Sequence, residues 1–314
     1  MKGISFMYQI RRCFSKFLYH ITCRCLSFDF LFKSKLYFLI VERYKRDNIK
    51  GVQDNLINLG LSSSNSSIIS MKESKSKIQR DIYNYWYKIS DESMLTQQID
   101  AFELIDKESK ITDSLHDDVS LIAVLHVGNY WETVAKVVKL SKGNVKFIIP
   151  ILSLDHEQTK CSVLSLKMFC EDLVVVDISE SISSTKKIAK YIKRGYKLII
   201  FPDLPPSIGA IYFGTPGYGM FFNKNASIAS GALKLAKLFK LDMVYVTSIP
   251  SENESNKVSY IETISYKDIS VTTNFQVMEY IIRKHPEHWA YLDRAENYFQ
   301  HQLSESEFKK KWNF

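Results

Sequence analysis

The chain has no G-x-G-x-x-G sequence and no Walker sequence, so it lacks the glycine-spaced loops that cradle nucleotide phosphates, and nucleotide chemistry is disfavoured. Cysteine is scarce and poorly spaced for metal: Cys13, Cys23, Cys25, Cys161 and Cys170 form no zinc-ligand pairs and leave an odd one over. That pattern fits a reducing compartment better than a disulfide framework. A clean transmembrane run is also missing. Residues 13 to 32 approach the spanning length of about 20 residues, but Lys16, His20, Arg24 and Asp29 interrupt them. No apolar core with a small-residue cleavage site follows Lys2, so a secretory signal is a poor fit. There is no internal repeat.

What is present is a folded composition with an uneven charge. With 314 residues, 46% of them hydrophobic, the chain can bury one sizeable core, as one large domain or a core with an appendage. The formal net charge is +8, and residues 1 to 50 carry all of that excess, with 11 Lys/Arg against 3 Asp/Glu. Within them Phe6, Ile10, Phe14, Phe17, Ile21 and Phe28 recur near helical spacing with Arg11, Arg12 and Lys16 between. This reads as an amphipathic segment lying on an anionic membrane surface rather than on nucleic acid. The plainer alternative is a helix packed on its own domain.

Further along, residues 61 to 77 are rich in Ser, Asn and Lys and read as a loop or linker. Ile78 to Leu104 shows helical periodicity, with an aromatic cluster at Tyr83, Tyr85, Trp86 and Tyr87. From residue 119 the pattern changes. Apolar runs at 121 to 125, 145 to 152, 173 to 178, 197 to 201 and 243 to 249 read as buried strands, and Val258 to Ile264 adds another. Amphipathic stretches at about 131 to 140, 157 to 170, 183 to 194 and 225 to 240 read as helices between the strands, and 274 to 298 as a closing helix. The alternation predicts an α/β fold with a mostly parallel central sheet flanked by helices. The expected organisation is a membrane-associated helical segment over 1 to 50, a helical region over 51 to 118, and an α/β catalytic domain over 119 to 314.

Two strand ends carry chemistry. The run Leu121 to Leu125 ends on His126, and Glu132 follows one short turn later. The carboxyl ends of parallel strands are where open α/β sheets bind ligands, and histidine takes and returns a proton near neutral pH. A helix starting near Asn129 would aim its first N–H groups at that strand end, where they suit an oxyanion or an anionic headgroup. Gly128 permits close backbone approach, and Asn129 suits an N-cap. His126 with Glu132 holding its tautomer is then the His-acid half of a triad without its serine; the bland alternative is a hydrogen-bonded structural histidine. The second strand, Lys197 to Phe201, delivers Asp203 in the same way. The loop after it gathers four glycines and three prolines within seventeen residues, and Ile211, Tyr212, Phe213, Phe221 and Phe222 suit either an acyl-chain groove or an ordinary core. In the third segment His285, His288 and Asp293 make a poor metal set, because Pro286 spoils a regular two-His helical face. Pro286 instead starts a helix that docks Trp289. A hydrolase pairing Cys161 or Cys170 with His126 is disfavoured, since neither cysteine sits at a strand end or in a nucleophile turn.

These segments, in this order, resemble the late acyltransferases of lipid A biosynthesis, within the lysophospholipid-acyltransferase superfamily. The resemblance extends over nearly the whole chain. It is carried by His126-Val-Gly-Asn129-Tyr-Trp131-Glu132, then Ile188 to Gly195 leading to Phe201-Pro-Asp203, then Phe213-Gly214 before Ala232 to Ala236. The ending Pro286-Glu-His-Trp289-Ala-Tyr291-Leu-Asp-Arg294 and the upstream Asp54-Asn55-Leu56 complete it. The resemblance implies transfer of a fatty acyl group from acyl-carrier protein or acyl-coenzyme A to a lipid or glycolipid acceptor, at the cytoplasmic face of the bacterial inner membrane. It implies His126 as general base, Glu132 as its partner, and Gly128, Asn129, Asp203, Phe213, Gly214 and Arg294 as substrate-binding positions, with neither a cofactor nor a metal. Two positions depart from the family pattern. The family places four residues between histidine and acid, and here Val127 to Trp131 makes five; one residue turns a helical side chain by about 100°, so Glu132 meets His126 only if the turn absorbs Tyr130. The family also carries an arginine between the histidine and Asp203, where this chain offers only Lys160 and Lys167. The absence of an E-G-T-R-type segment argues against the phosphatidate-forming enzymes. Acylation of a peptide or polyketide acceptor, or a catalytically impaired membrane-binding scaffold, are the alternative functions.

Overall fold

A computed structural model of the protein describes residues 49–61, 66–151, 163–178, 181–208, 211–249 and 256–299. The basic segment expected over 1 to 50 lies outside these residues but for the start of the first helix. That helix, α1 (Ile49–Asn58), is followed by α2 (Ser66–Ile89), α3 (Glu92–Asp100), strand β1 (Glu103–Ile105) and α4 (Lys110–His116). The alternating part then runs β2 (Ser120–Val124), α5 (Tyr130–Leu140), β3 (Lys146–Ile151), a 3₁₀ turn at Ser165–Phe169, β4 (Asp172–Asp177), α6 (Ser181–Ile192) and β5 (Lys197–Ile200). Two hairpins follow, β6 (Ser207–Ile208) with β7 (Ile211–Tyr212) and β8 (Pro216–Phe221) with β9 (Lys224–Ala229). The described chain closes with α7 (Gly231–Phe239), β10 (Asp242–Ile249), β11 (Lys257–Ile264), α8 (Val271–Lys284) and 3₁₀ segments at Pro286–His288 and Leu292–Tyr298.

The central sheet has seven strands in the order β1-β11-β10-β2-β5-β3-β4. Strands β10, β2, β5, β3 and β4 are mutually parallel, and β11 pairs antiparallel to β10 with β1 parallel beside it. The architecture is α/β, with a mostly parallel mixed sheet flanked by helices. Strand β2 explains why its sequence is apolar without interruption. Leu121, Ala123 and Leu125 face one core with residues of α1, α6, α7 and α8, while Ile122 and Val124 face another with residues of α3, α4 and α5. A strand covered on both faces has no solvent side to mark with polar residues, and each leucine, isoleucine or valine side chain so buried contributes about 1.5–3 kcal/mol. Strands β2 and β5 are neighbours whose connections leave in opposite directions, to β3 on one side and to β10 on the other. Such a switch in strand order is where open α/β sheets place their binding sites.

Three expectations need correction. The serine-rich stretch is helical from Ser66 onward: the Ser70 hydroxyl donates to the Ser66 carbonyl at 2.7 Å, and Ser70, Ser74 and Ser76 are buried where α2 packs against Pro286–His288. A small hydroxyl side chain that satisfies itself on its own helix, as Ser70 does, allows close approach. The stretch 225 to 240 begins as β9 and becomes helical only at Gly231, because hairpin pairing with β8 claims Asn225 to Ala229. The closing helix ends at Lys284, where Pro286 cannot continue it. Among the described residues no helix is long and apolar enough to cross a membrane.

Candidate functional site

The register of the sheet brings the two sequence-marked strand ends together. Parallel β2 and β5 pair Ile122 with Ile199 and Ala123 with Ile200. Continuing that register past the last paired residues sets His126 opposite Asp203, and the side chains meet there. Asp203 Oδ1 lies 2.7 Å from His126 Nδ1, and Asp203 Oδ2 accepts the His126 backbone N–H at 2.7 Å. One carboxylate thus holds both the ring and the main chain of the histidine. With Asp203 ionised, Nδ1 carries the proton and donates it, which leaves the Nε2 lone pair as the basic site. Nε2 has no hydrogen-bond partner among the described residues.

The imidazole sits in an aromatic enclosure. Its centroid is 4.5 Å from that of Tyr130, 4.6 Å from Phe201 and 5.2 Å from Tyr291. The His126 side chain keeps 11% of its surface exposed, and Asp203 is buried. Tyr298 donates its hydroxyl to the Asp203 carbonyl. Burial, and then the Asp203 charge, raise the pKa of Tyr291 and of Tyr298 well above the tyrosine range, so both remain protonated.

The closing 3₁₀ segments complete the mouth. Ala290 N–H donates to the His126 carbonyl at 2.8 Å, Gly128 N–H donates to the His288 carbonyl at 2.8 Å, and Val127 bridges Trp289 antiparallel between them. Gly128 turns the chain here with φ at +62°, a conformation that costs any residue with a Cβ. Asn129 caps α5 by position only. Its side chain makes no cap bond, is 98% buried by its 2% exposure, and leaves both amide atoms without a partner. Beside this turn Arg80 of α2 is buried, its Nη1 directed at the Ser76 hydroxyl (3.1 Å), the His288 carbonyl (3.2 Å) and the Gly128 carbonyl (3.4 Å). The His288 ring is 3.1 Å from the Ser76 hydroxyl through Nδ1. Its pKa is lowered to about 3, first by burial and then by the charges of His285, Arg80, Lys72 and Lys75. A neutral His288 makes its 3.9 Å approach to Glu287 a polar contact and not an ion pair at neutral pH.

Of the residues singled out from sequence, the structure brings His126 and Asp203 together, with Gly128 and Asn129 on the adjoining turn. Glu132 is placed otherwise. It is fully buried, accepts from Asn256 Nδ2 at 3.0 Å and lies 3.4 Å from the Ser248 hydroxyl, so it joins α5 to β10 and β11. The acid on the His126 ring is Asp203. The cause is helical geometry: α5 starts at Tyr130, and the position with four residues between it and the histidine is held by Trp131, whose ring faces Phe201 at 5.6 Å. The extra residue turns the carboxylate away. The Gly128 N–H, at a position expected to bind substrate, donates to the His288 carbonyl. Phe213 and Gly214 lie on the β7–β8 connection, tied to the Asp203 loop through Phe213 N–H to the Pro206 carbonyl at 2.8 Å. Neither is in hydrogen-bond or ring contact with His126. Arg294 is half exposed and stands 3.7 Å from the Asp293 carboxylate, at the surface. The residues missed are Arg80, Tyr130, Phe201, Tyr291 and Tyr298. Four of them lie inside or beside the quoted segments and look like core aromatics in sequence, whereas Arg80 has no motif around it. Among the described residues no His, Cys, Asp and Glu group could hold a metal.

Comparison with protein-family models and with curated proteins finds no match for the chain.

Proposed function

We propose that the protein is an acyltransferase of the kind its sequence resembles, moving a fatty acyl group from acyl-carrier protein or acyl-coenzyme A to a hydroxyl or amine of a lipid A-like glycolipid, with a lysophospholipid-acyltransferase-like fold. The observation that carries this reading is the His126–Asp203 pair, with Nε2 unpartnered at the carboxyl ends of β2 and β5. In the reaction, His126 Nε2 removes the acceptor's proton as its oxygen or nitrogen attacks the thioester carbonyl. Asp203 stabilises the imidazolium. Collapse of the tetrahedral species forms the ester or amide and breaks the C–S bond, and the proton passes from Nε2 to the departing thiolate. Backbone N–H groups at the start of α5 are the oxyanion-side donors. The reaction needs neither a metal nor a covalent acyl-enzyme.

An impaired scaffold is the weaker reading, because an acid does hold the histidine ring. The N-terminal basic segment suits the cytoplasmic face of a bacterial inner membrane, and its positive charge suits acidic carrier protein. The test is incubation of the full chain with acyl-carrier protein, acyl-coenzyme A and cell extract, followed by mass spectrometry of acylated products. New acylated species that vanish with His126→Ala are expected. Identical product profiles for the two proteins would sink the assignment.

A further inference from the structure

A buried cation stands beside the reaction centre without a carboxylate. Arg80 is only 7% exposed, and its three hydrogen-bond acceptors, one hydroxyl and two carbonyls, are all neutral. All three are reached by one nitrogen, so Nε and Nη2 make no bond to any described residue. A buried guanidinium is ordinarily matched by an anion, because its desolvation is otherwise uncompensated. The neighbouring carboxylates, Glu73 and Asp293, are engaged by Lys77 at 2.8 and 2.7 Å and not by Arg80. A second, independent feature lies one peptide away, where the Gly128 carbonyl held by Arg80 leads into Asn129. That buried side chain has an amide donor and acceptor both unmet. The α5 amino terminus, which favours negative charge, begins at the next residue.

We propose that Arg80, with Asn129 beside it, forms an anion subsite of the reaction centre that takes a phosphate group of the substrate. A guanidinium edge with Nε and Nη2 open presents two parallel donors, which a phosphate accepts in bidentate fashion, and the adjoining α5 amino terminus favours the same charge. The subsite gives the acyltransferase reading its substrate class and rests on that reading for its meaning. Its chemistry is shared by two sources: the phosphate of a pantetheine-type thioester donor and that of a phosphorylated lipid acceptor.

The experiment is a calorimetric titration of the full chain with two matched pairs, 4′-phosphopantetheine against pantetheine and dihexanoyl phosphatidate against dihexanoylglycerol. In at least one pair the phosphorylated member is expected to bind about tenfold tighter or more, and the pair that shows the margin identifies the source. Arg80→Gln should erase the margin, Arg80→Lys should restore part of it, and Asn129→Asp should erase it by placing a negative charge at the site. No margin in either pair, or a margin that survives Arg80→Gln, overturns the proposal. Should Arg80→Gln fail to fold, Asn129→Asp decides, and a margin that survives it is the overturning result. A margin lost in these variants, from a wild-type chain that transfers no acyl group, leaves the subsite standing and removes the acyltransferase reading.

Discussion

At the scale of single residues, two carboxylates near one histidine have different environments, and environment assigns their work. Asp203 bonds both the ring and the backbone of His126 at 2.7 Å, whereas Glu132 is buried against Asn256 and Ser248. Asp203→Asn is therefore expected to lower turnover by about 10³–10⁴, the cost of losing the tautomer-setting acid. Glu132→Gln should instead change stability and leave turnover within about tenfold of the wild type. Steady-state rates and denaturation midpoints of the two variants separate the roles; comparable losses of turnover would return Glu132 to the catalytic pair. His288 supplies a pH signature. Its folded pKa of about 3 lies below the ordinary 6.5, because burial and the nearby cations disfavour its protonated form. Between those values the unfolded chain binds a proton that the folded chain does not, so stability falls as pH drops from about 6.5 toward 3. His288→Gln should reduce the stability difference between pH 7 and pH 4 by about 1–3 kcal/mol, as read from urea midpoints. An unchanged difference would contradict the assignment.

At the scale of elements, the site is made by segments that arrive from far apart in the chain. The Val127–Trp289 bridge and its flanking bonds clamp the α5 turn to the closing 3₁₀ segment. Asn55 on α1 braces that segment by donating to the Leu292 carbonyl at 2.9 Å and to the Glu296 carboxylate at 3.0 Å. The β8–β9 hairpin is held against the α8 amino terminus, where Ser270 and Thr273 form a capping box. Close contact there depends on glycine. A Cβ at Gly217 would stand 2.6 Å from Val271 Cγ2 and 3.2 Å from Ser230 Cβ. Valine is stiff at its branched carbon, so relief must come from moving the helix or the hairpin. Gly217→Ala is expected to destabilise the protein by about 1–3 kcal/mol. A thermal or urea melt at wild-type stability would mean that hairpin and helix pack more loosely than the structure has them.

At the scale of the whole molecule, charge and apolar exposure coincide at the amino-terminal end. Residues 1 to 50 carry the net charge of +8, and the first described helices leave Ile57, Ile68 and Met71 more than half exposed. Removal of residues 1–45 is expected to abolish flotation with vesicles rich in anionic lipid, while the truncated chain keeps its folded circular-dichroism spectrum. Undiminished flotation would count against the membrane-surface reading. By itself the sequence determined the alternating α/β plan, the two strands that carry the site, and His126 and Asp203 at their ends. Period and apolar runs are local properties, and a strand buried on both faces declares itself by having no polar side. The tertiary structure alone decided which acid holds the histidine, because that depends on the register between strands 77 residues apart and on one extra residue before Glu132. It also turned a serine-rich stretch into the helix that delivers Arg80, since burial against Pro286–His288 outweighs a composition that locally favours a loop. Partners so distant in sequence leave no local pattern, and only the folded sheet brings them within bonding distance.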